Sequence, residues 1–206
     1  MVYISIPLHA SYNINMTPKL IAFAGPSAIG KTYVADQLVQ LHPGLFEQPN
    51  LYTTRPQRKG QVSTDRTHVS LNEFNAMVAA DMFSINAEFG GNLYGFTHDS
   101  LTPKDNKHIV MNIWPWLMPQ FTKMDHAVIV VMKPPENWQT LLTNRMKLRG
   151  DSAQTIEKRI PLIQKDLQDL HTALPLISAH DKIFTVVDDT TVHEQIIPWL
   201  TQTLNL

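Results

Sequence analysis

The sequence predicts an α/β fold with a mainly parallel sheet flanked by helices. Short apolar runs rich in β-branched residues recur along it: "LIAFA" (20–24), "HIVMNIW" (108–114), "AVIVVM" (127–132) and "KIFTVV" (182–187). The first suits a strand buried on both faces, the next two read as buried strands, and the fourth reads as a last strand. Segments of helical spacing separate them, and strands that alternate with helices assemble as a parallel sheet.

Leu20 to Ala24 forms the first strand and runs directly into a glycine. Lys31 to Leu41 then places Val34, Leu38 and Leu41 on one helical face, and "HPG" at 42–44 stops that helix. "SLNEF" (70–74) is a capping-box pattern, Ser70 with Glu73, which opens a helix to about Ala80. "PPENWQTLLTNRMKLRG" begins on prolines and ends on Gly150, the expected order for a helix. Residues 152–174 carry Ile156, Ile160, Ile163, Leu167, Leu170 and Leu174 at helical spacing, with a kink or split expected at Pro161. Thr191 with Glu194 gives a second capping-box pattern before a C-terminal helix. Residues 50–100 are more polar, with short strand-like pieces, and read as an insertion over the sheet.

The 206 residues suffice for one domain with a substantial core, and 43% of them are apolar. A net charge of −1 gives no global attraction to a nucleic-acid polymer or a membrane surface. The absence of cysteine excludes disulfides and cysteine-ligated metal, and is compatible with a reducing, cytoplasmic setting. No apolar run approaches the roughly 20 residues that span a bilayer. Residues 1–15 lack a basic n-region, and Pro7 and His9 interrupt their apolar run, so a signal peptide is not expected; they read as a disordered or loosely packed extension, or as an upstream start before Met16. The folded domain is expected over 16–206. The histidines show no metal-ligand spacing, and Trp114 and Trp116 read as packing residues.

The chemistry begins at "GPSAIGKT" (25–32), which fits G-x-x-x-x-G-K-[ST] between a buried strand and an amphipathic helix. This is the P-loop pattern. Gly25 and Gly30 permit the turn, and backbone N–H groups from Ser27 through Ala28, Ile29 and Gly30 to Lys31 can face phosphate oxygens. The helix N-terminus adds its partial positive charge. Lys31 would bridge the β- and γ-phosphates of ATP, and the Thr32 hydroxyl would ligate Mg²⁺.

With "TTRPQR" following, the chain resembles the guanylate kinase family. The resemblance continues in order through "VSLNEF", "AEFGGNLYG", "RMKLRG", and "AHDK" with "VVDD", over nearly all of residues 16–206. It implies a P-loop NTPase fold with a core, an inserted acceptor-binding subdomain at about 50–100 and a helical lid at about 145–160. It also implies transfer of the ATP γ-phosphate to GMP. By the same resemblance Arg145, Arg149 and Arg159 lie over the phosphates, where cations stabilise the transferring group. Arg55 and Arg58 match the positions that hold the acceptor's 5′-phosphate, and Tyr94 matches a tyrosine on the same acceptor.

Several positions depart from the family. Ile85 stands where a glutamate reads the guanine edge, and Phe96 where a serine or threonine helps read O6. Arg66 replaces a phosphate-binding tyrosine, Leu51 a serine, and Asn112 an aspartate near metal and acceptor. "WPW" replaces a glycine-bearing turn. If the strand register differs by a residue, Asn86 or Glu88 could supply the missing polar contact. The expected activity is an ATP- and Mg²⁺-dependent phosphotransferase acting on GMP or a related small phosphate. Alternatives are a kinase of a base-free acceptor such as ribose 1,5-bisphosphate, whose bacterial kinase resembles this chain at "VMN", and a non-catalytic binding module.

Overall fold

The computed structural model describes residues 19–57, 65–179 and 181–204. The extension expected over 1–15, the candidate acceptor residue Arg58 and His180 of "AHDK" lie outside these residues. Strands β1 (Leu20–Ala24), β2 (Phe46–Glu47), β7 (His108–Ile113), β8 (Ala127–Lys133) and β9 (Lys182–Thr185) form a sheet in the order β2-β7-β1-β8-β9. Every pairing in it is parallel, with Leu20 of β1 opposite Ile109 on one side and Ala127 on the other.

Three of the apolar runs read from sequence are the buried strands β1, β7 and β8, whereas β9 is a strand that buries only Phe184 and exposes Lys182, Ile183 and Thr185. All five residues of β1 are buried, because their side chains alternate between two cores. Ile21 and Phe23 enter one, with Val34 and Leu38 of α1 (Lys31–Leu41). Leu142 and Met146 of α4 (Trp138–Leu148) and Ile156 and Ile163 of α5 (Ala153–Ala173) complete that side. Leu20, Ala22 and Ala24 enter the other core, with Ile109, Met111, Ile113, Leu117, Phe121 and Leu170.

A second sheet lies within the polar segment. Its order is β4-β3-β6-β5, from β3 (Leu51–Thr53), β4 (Arg66–His68), β5 (Phe83–Phe89) and β6 (Asn92–Thr97). β5 and β6 form an antiparallel hairpin in which Phe89 faces Asn92 across Gly90 and Gly91. Both glycines have positive φ, 59° and 74°, as a tight two-residue hairpin turn requires. Helix α2 (Leu71–Ala79) precedes β5 and carries the expected capping box, with Ser70 accepting from Glu73 N–H and Glu73 accepting from Ser70 N–H.

Two expectations are corrected. Helix α5 is not split at Pro161 but runs through it for 21 residues. Pro161 is exposed, while Ile156, Ile163 and Leu170 keep one buried face on both sides of it. That shared packing outweighs the single hydrogen bond that proline removes. Thr191 and Glu194 do not form a capping box. Asp188 caps the last helical stretch instead, accepting from the N–H groups of Thr190 and Thr191. A carboxylate placed three residues earlier takes the free amides first, and Thr191 becomes buried.

Gly95 of β6 lies under the ring of Phe83, which stacks on Phe74 at a centroid distance of 4.6 Å. A Cβ at Gly95 would stand 2.5 Å from Phe83 ring carbons. Gly95→Ala is therefore expected to destabilise the protein by about 1–3 kcal/mol, read as a lower urea midpoint. Adding Phe83→Leu should recover part of that loss; an unchanged midpoint for Gly95→Ala would show that the ring moves aside freely.

Candidate active site

The loop between β1 and α1 is shaped by close approach. A Cβ at Gly25 would lie 2.2 Å from the carbonyl oxygen of Met132 on β8, so the backbone passes where no side chain fits. Gly30, at φ 111°, closes the loop as the N-cap of α1. Ala28 sits at φ 65°, a left-handed conformation that costs a non-glycine residue roughly 1 kcal/mol. Val34 N–H bonds back to Gly30 O at 3.1 Å, while the N–H groups of Lys31, Thr32 and Tyr33 open the first turn, where a helix offers no internal acceptor.

Lys31 folds back into this loop. Its Nζ donates to Gly25 O at 2.7 Å and to Pro26 O at 2.8 Å. Burial pulls the ammonium down to about 8, with Asp166 opposing. Asp166 is 3% exposed, and burial pushes its carboxyl up to about 6 against the pull of Lys31 and of the Ser27 N–H. That N–H donates to Asp166 Oδ2 at 3.1 Å, and Ile29 N–H reaches Pro26 O at 3.4 Å. The sequence reading has the amides from about Ser27 to Lys31 able to face phosphate oxygens; in this structure the Ser27 N–H is taken by the Asp166 carboxylate.

Arg145 of "RMKLRG" and Arg159 of α5 reach the same loop. Arg145 Nη1 donates to Ile29 O at 2.7 Å. Arg159 Nη1 donates to Ser27 Oγ at 3.2 Å, and its Nε lies 4.0 Å from Asp151. Arg149, the C-cap of α4, pairs with Asp151. Burial and then Arg149 hold the Arg159 guanidinium below its ordinary value; Arg55 adds to this, while Asp151 and Tyr94 oppose it. Arg55, Tyr94, Arg149 and Arg159 thus share one electrostatic neighbourhood despite wide separation in sequence.

On the other side of the loop, Asn112 Nδ2 donates to Thr32 Oγ1 at 3.2 Å. Asn112 Oδ1 is buried and has no hydrogen-bond partner among the described residues. Buried acceptors are normally satisfied. Beside the Thr32 hydroxyl, this oxygen suits a hard cation or its bound water. The donor set therefore fits Mg²⁺.

Asn112 also lines a cleft of about 40 Å³ between the two sheets, with Leu51, Arg66, Phe96 and Met111. Arg66 lies 3.5 Å from Asp65 within it. Tyr94 is buried and meets Trp114 edge-on at 5.1 Å, and Trp114 stacks on Trp116, so both tryptophans pack as expected. Ile85 faces Phe96 across the hairpin, and both join Ile109 and Met111 in the second core. Asn86 and Glu88 lie on the opposite, exposed face of β5. With side chains alternating along a strand, neither replaces Ile85.

The sequence reading missed Asp166. The signal was present: an acid between Ile163 and Leu170 at core spacing on α5. Asp151 was missed as well, and as an isolated acid after Gly150 it gave no pattern to read.

A family model described as guanylate kinase matches residues 17–191. A guanylate kinase of Nostoc sp. is 32% identical over 158 residues, covering 74% of this chain and 78% of the relative. One from Trichormus variabilis is 30% identical over 155 residues, covering 73% of this chain and 76% of the relative. The crystal structure of guanylate kinase from Anaplasma phagocytophilum shares the fold, with a TM-score of 0.61 at 19% identity, covering 91% of this chain and 86% of that one. With a phosphate loop closed on a buried lysine and arginines drawn in from α4 and α5, the chain belongs to the guanylate kinase family and is a nucleoside monophosphate kinase.

Proposed function

We propose that the enzyme transfers the γ-phosphate of Mg²⁺-bound ATP to a small phosphorylated acceptor, GMP or a related compound. The observation that carries this reading is the loop 25–32, built around a backbone that only glycine permits and holding the Lys31 ammonium inside it. In the reaction, Lys31 exchanges two loop carbonyls for phosphate oxygens, which it binds more strongly because they are charged. Mg²⁺, when bound, supplies neutralising charge between the phosphates. Thr32 Oγ1 would hold it, and Asn112 Oδ1 would hold one of its waters. Arg145, Arg149 and Arg159 stabilise charge on the transferring group.

Arg55, Arg58 and Tyr94 hold the acceptor's phosphate, Arg66 lends a further cation, and residues 50–100 act as the acceptor-binding insertion beside a lid at 145–160. The domain 16–206 works as one unit. Among the described residues no helix is long and apolar enough to cross a membrane. We place the enzyme in the cytoplasm, with small phosphates rather than a nucleic-acid polymer as its partners.

A second reading, a base-free acceptor such as ribose 1,5-bisphosphate, is favoured by one observation. Ile85 and Phe96, at 6% and 7% exposure, are core residues rather than a polar wall for guanine. An apolar wall leaves guanine's donors unpaired and penalises it.

Lys31→Ala is expected to lower kcat by about 10²–10³ in a chain that circular dichroism shows to be folded. Unchanged turnover would remove the loop from the reaction. ADP release measured across GMP, dGMP, AMP, UMP, CMP and ribose 1,5-bisphosphate assigns the acceptor. GMP turnover above about 10⁵ M⁻¹ s⁻¹ in kcat/KM would exclude the base-free reading. Turnover confined to ribose 1,5-bisphosphate would establish it, and silence on every acceptor despite ATP binding would point to a non-catalytic module.

A further inference from the structure

Helix α5 holds Ser27 twice. Asp166 accepts from its N–H at 3.1 Å, and Arg159 donates to its hydroxyl at 3.2 Å. The two residues lie seven positions apart on α5, about two turns, and therefore on one face. Asp166 occupies a position between Ile163 and Leu170 that packing alone would fill with an apolar residue. A buried carboxylate is unfavourable unless it is paired and hydrogen-bonded. Its two largest compensating partners are loop groups, the Lys31 charge and the Ser27 N–H, with a smaller contribution from Lys165 that Asp169 opposes. On its own helix, Lys165 is committed to Asp169 through bonds of 2.9 and 2.8 Å.

The Ser27 N–H belongs to the same peptide unit as the Pro26 carbonyl. In a trans peptide these two groups point in opposite directions; among the described residues there is no cis bond. When Asp166 draws the N–H toward α5, the Pro26 carbonyl is aimed the other way. There it accepts from Lys31 Nζ at 2.8 Å. One carboxylate on α5, 139 residues from Ser27 in sequence, thus orients the peptide plane that holds the phosphate-binding lysine.

We propose that Asp166 is a positioning residue for the donor site. It fixes the 26–27 peptide so that Lys31 is held within the loop before nucleotide arrives. This rests on the reading of 25–32 as the nucleoside triphosphate site, and it concerns neither the acceptor nor the reacting atoms.

The test uses the full chain with Asp166→Ala, Asp166→Leu and Asp166→Asn. Folding is followed by circular dichroism, and ADP binding by calorimetry without acceptor. The expected result is an ADP Kd raised about tenfold or more in Asp166→Ala. Asp166→Leu, which fills the apolar position, folds and shows the same loss. Asp166→Asn, whose amide carbonyl still accepts from Ser27 N–H, stays within about threefold of the parent. In turnover the loss falls on the KM for ATP, with the acceptor KM held within about twofold. Parental ADP binding by folded Asp166→Leu, or Asp166→Asn as weak as Asp166→Ala, would overturn the proposal while leaving the donor reading intact. A parent chain that binds no ADP would overturn both.

Discussion

A lysine ammonium held against the carbonyls of its own loop is the constraint around which the rest of this molecule is arranged. Lys31 Nζ sits between Gly25 O and Pro26 O with Asp166 close by. The arrangement requires β1 to lie between β7 and β8, because the loop's first residue must pass against Met132 of β8. It requires α5 to lie alongside, since Asp166 and Arg159 both reach Ser27. The parallel sheet supplies the first condition and the long buried face of α5 the second. The loop's carbonyls and the carboxylate together keep a buried cation from being unpaired, which would be far more unfavourable than any surface charge.

The two sides of the sheet have different roles. One side is filled by α1, α4 and α5 and fixes the donor loop. On the other, the second sheet is welded to the first through Ile85, Phe96, Ile109 and Met111. The positions at which the resemblance expects base readers, Ile85 and Phe96, are part of this core. The side chains proposed to hold phosphate, Arg55, Arg66 and Tyr94, lie on or beside strands of the second sheet. Arg55 follows β3, whereas Ile85, Tyr94 and Phe96 belong to the β5–β6 hairpin.

The main sheet and the loop were legible in the sequence because both rest on local patterns. Wholly apolar runs of five or six residues have few alternatives to buried strands, and "GPSAIGKT" needs only its glycines and its helix. The capping box at Ser70 was legible for the same reason. Pro161 misled because the reading weighed one lost hydrogen bond without the packing on both sides. Thr191 misled because Asp188, three residues earlier, competes for the same amides. Asp166 stayed hidden because its partner is 139 residues away, and an acid at core spacing resembles a solvated helix face until the fold brings a cation to it. The pairing of Ile85 with Phe96 is likewise a matter of register, which the chain's order does not state.

The central claim is that phosphates are gripped and the base is not read. GMP and IMP differ only in the exocyclic 2-amino group, which a carboxylate on the guanine edge would bind. Their kcat/KM values, measured side by side with saturating ATP and Mg²⁺, test the claim most directly. With Ile85 in the core, the expected preference for GMP is no more than about threefold. A preference of about a hundredfold or more would contradict it and require a polar reader of guanine.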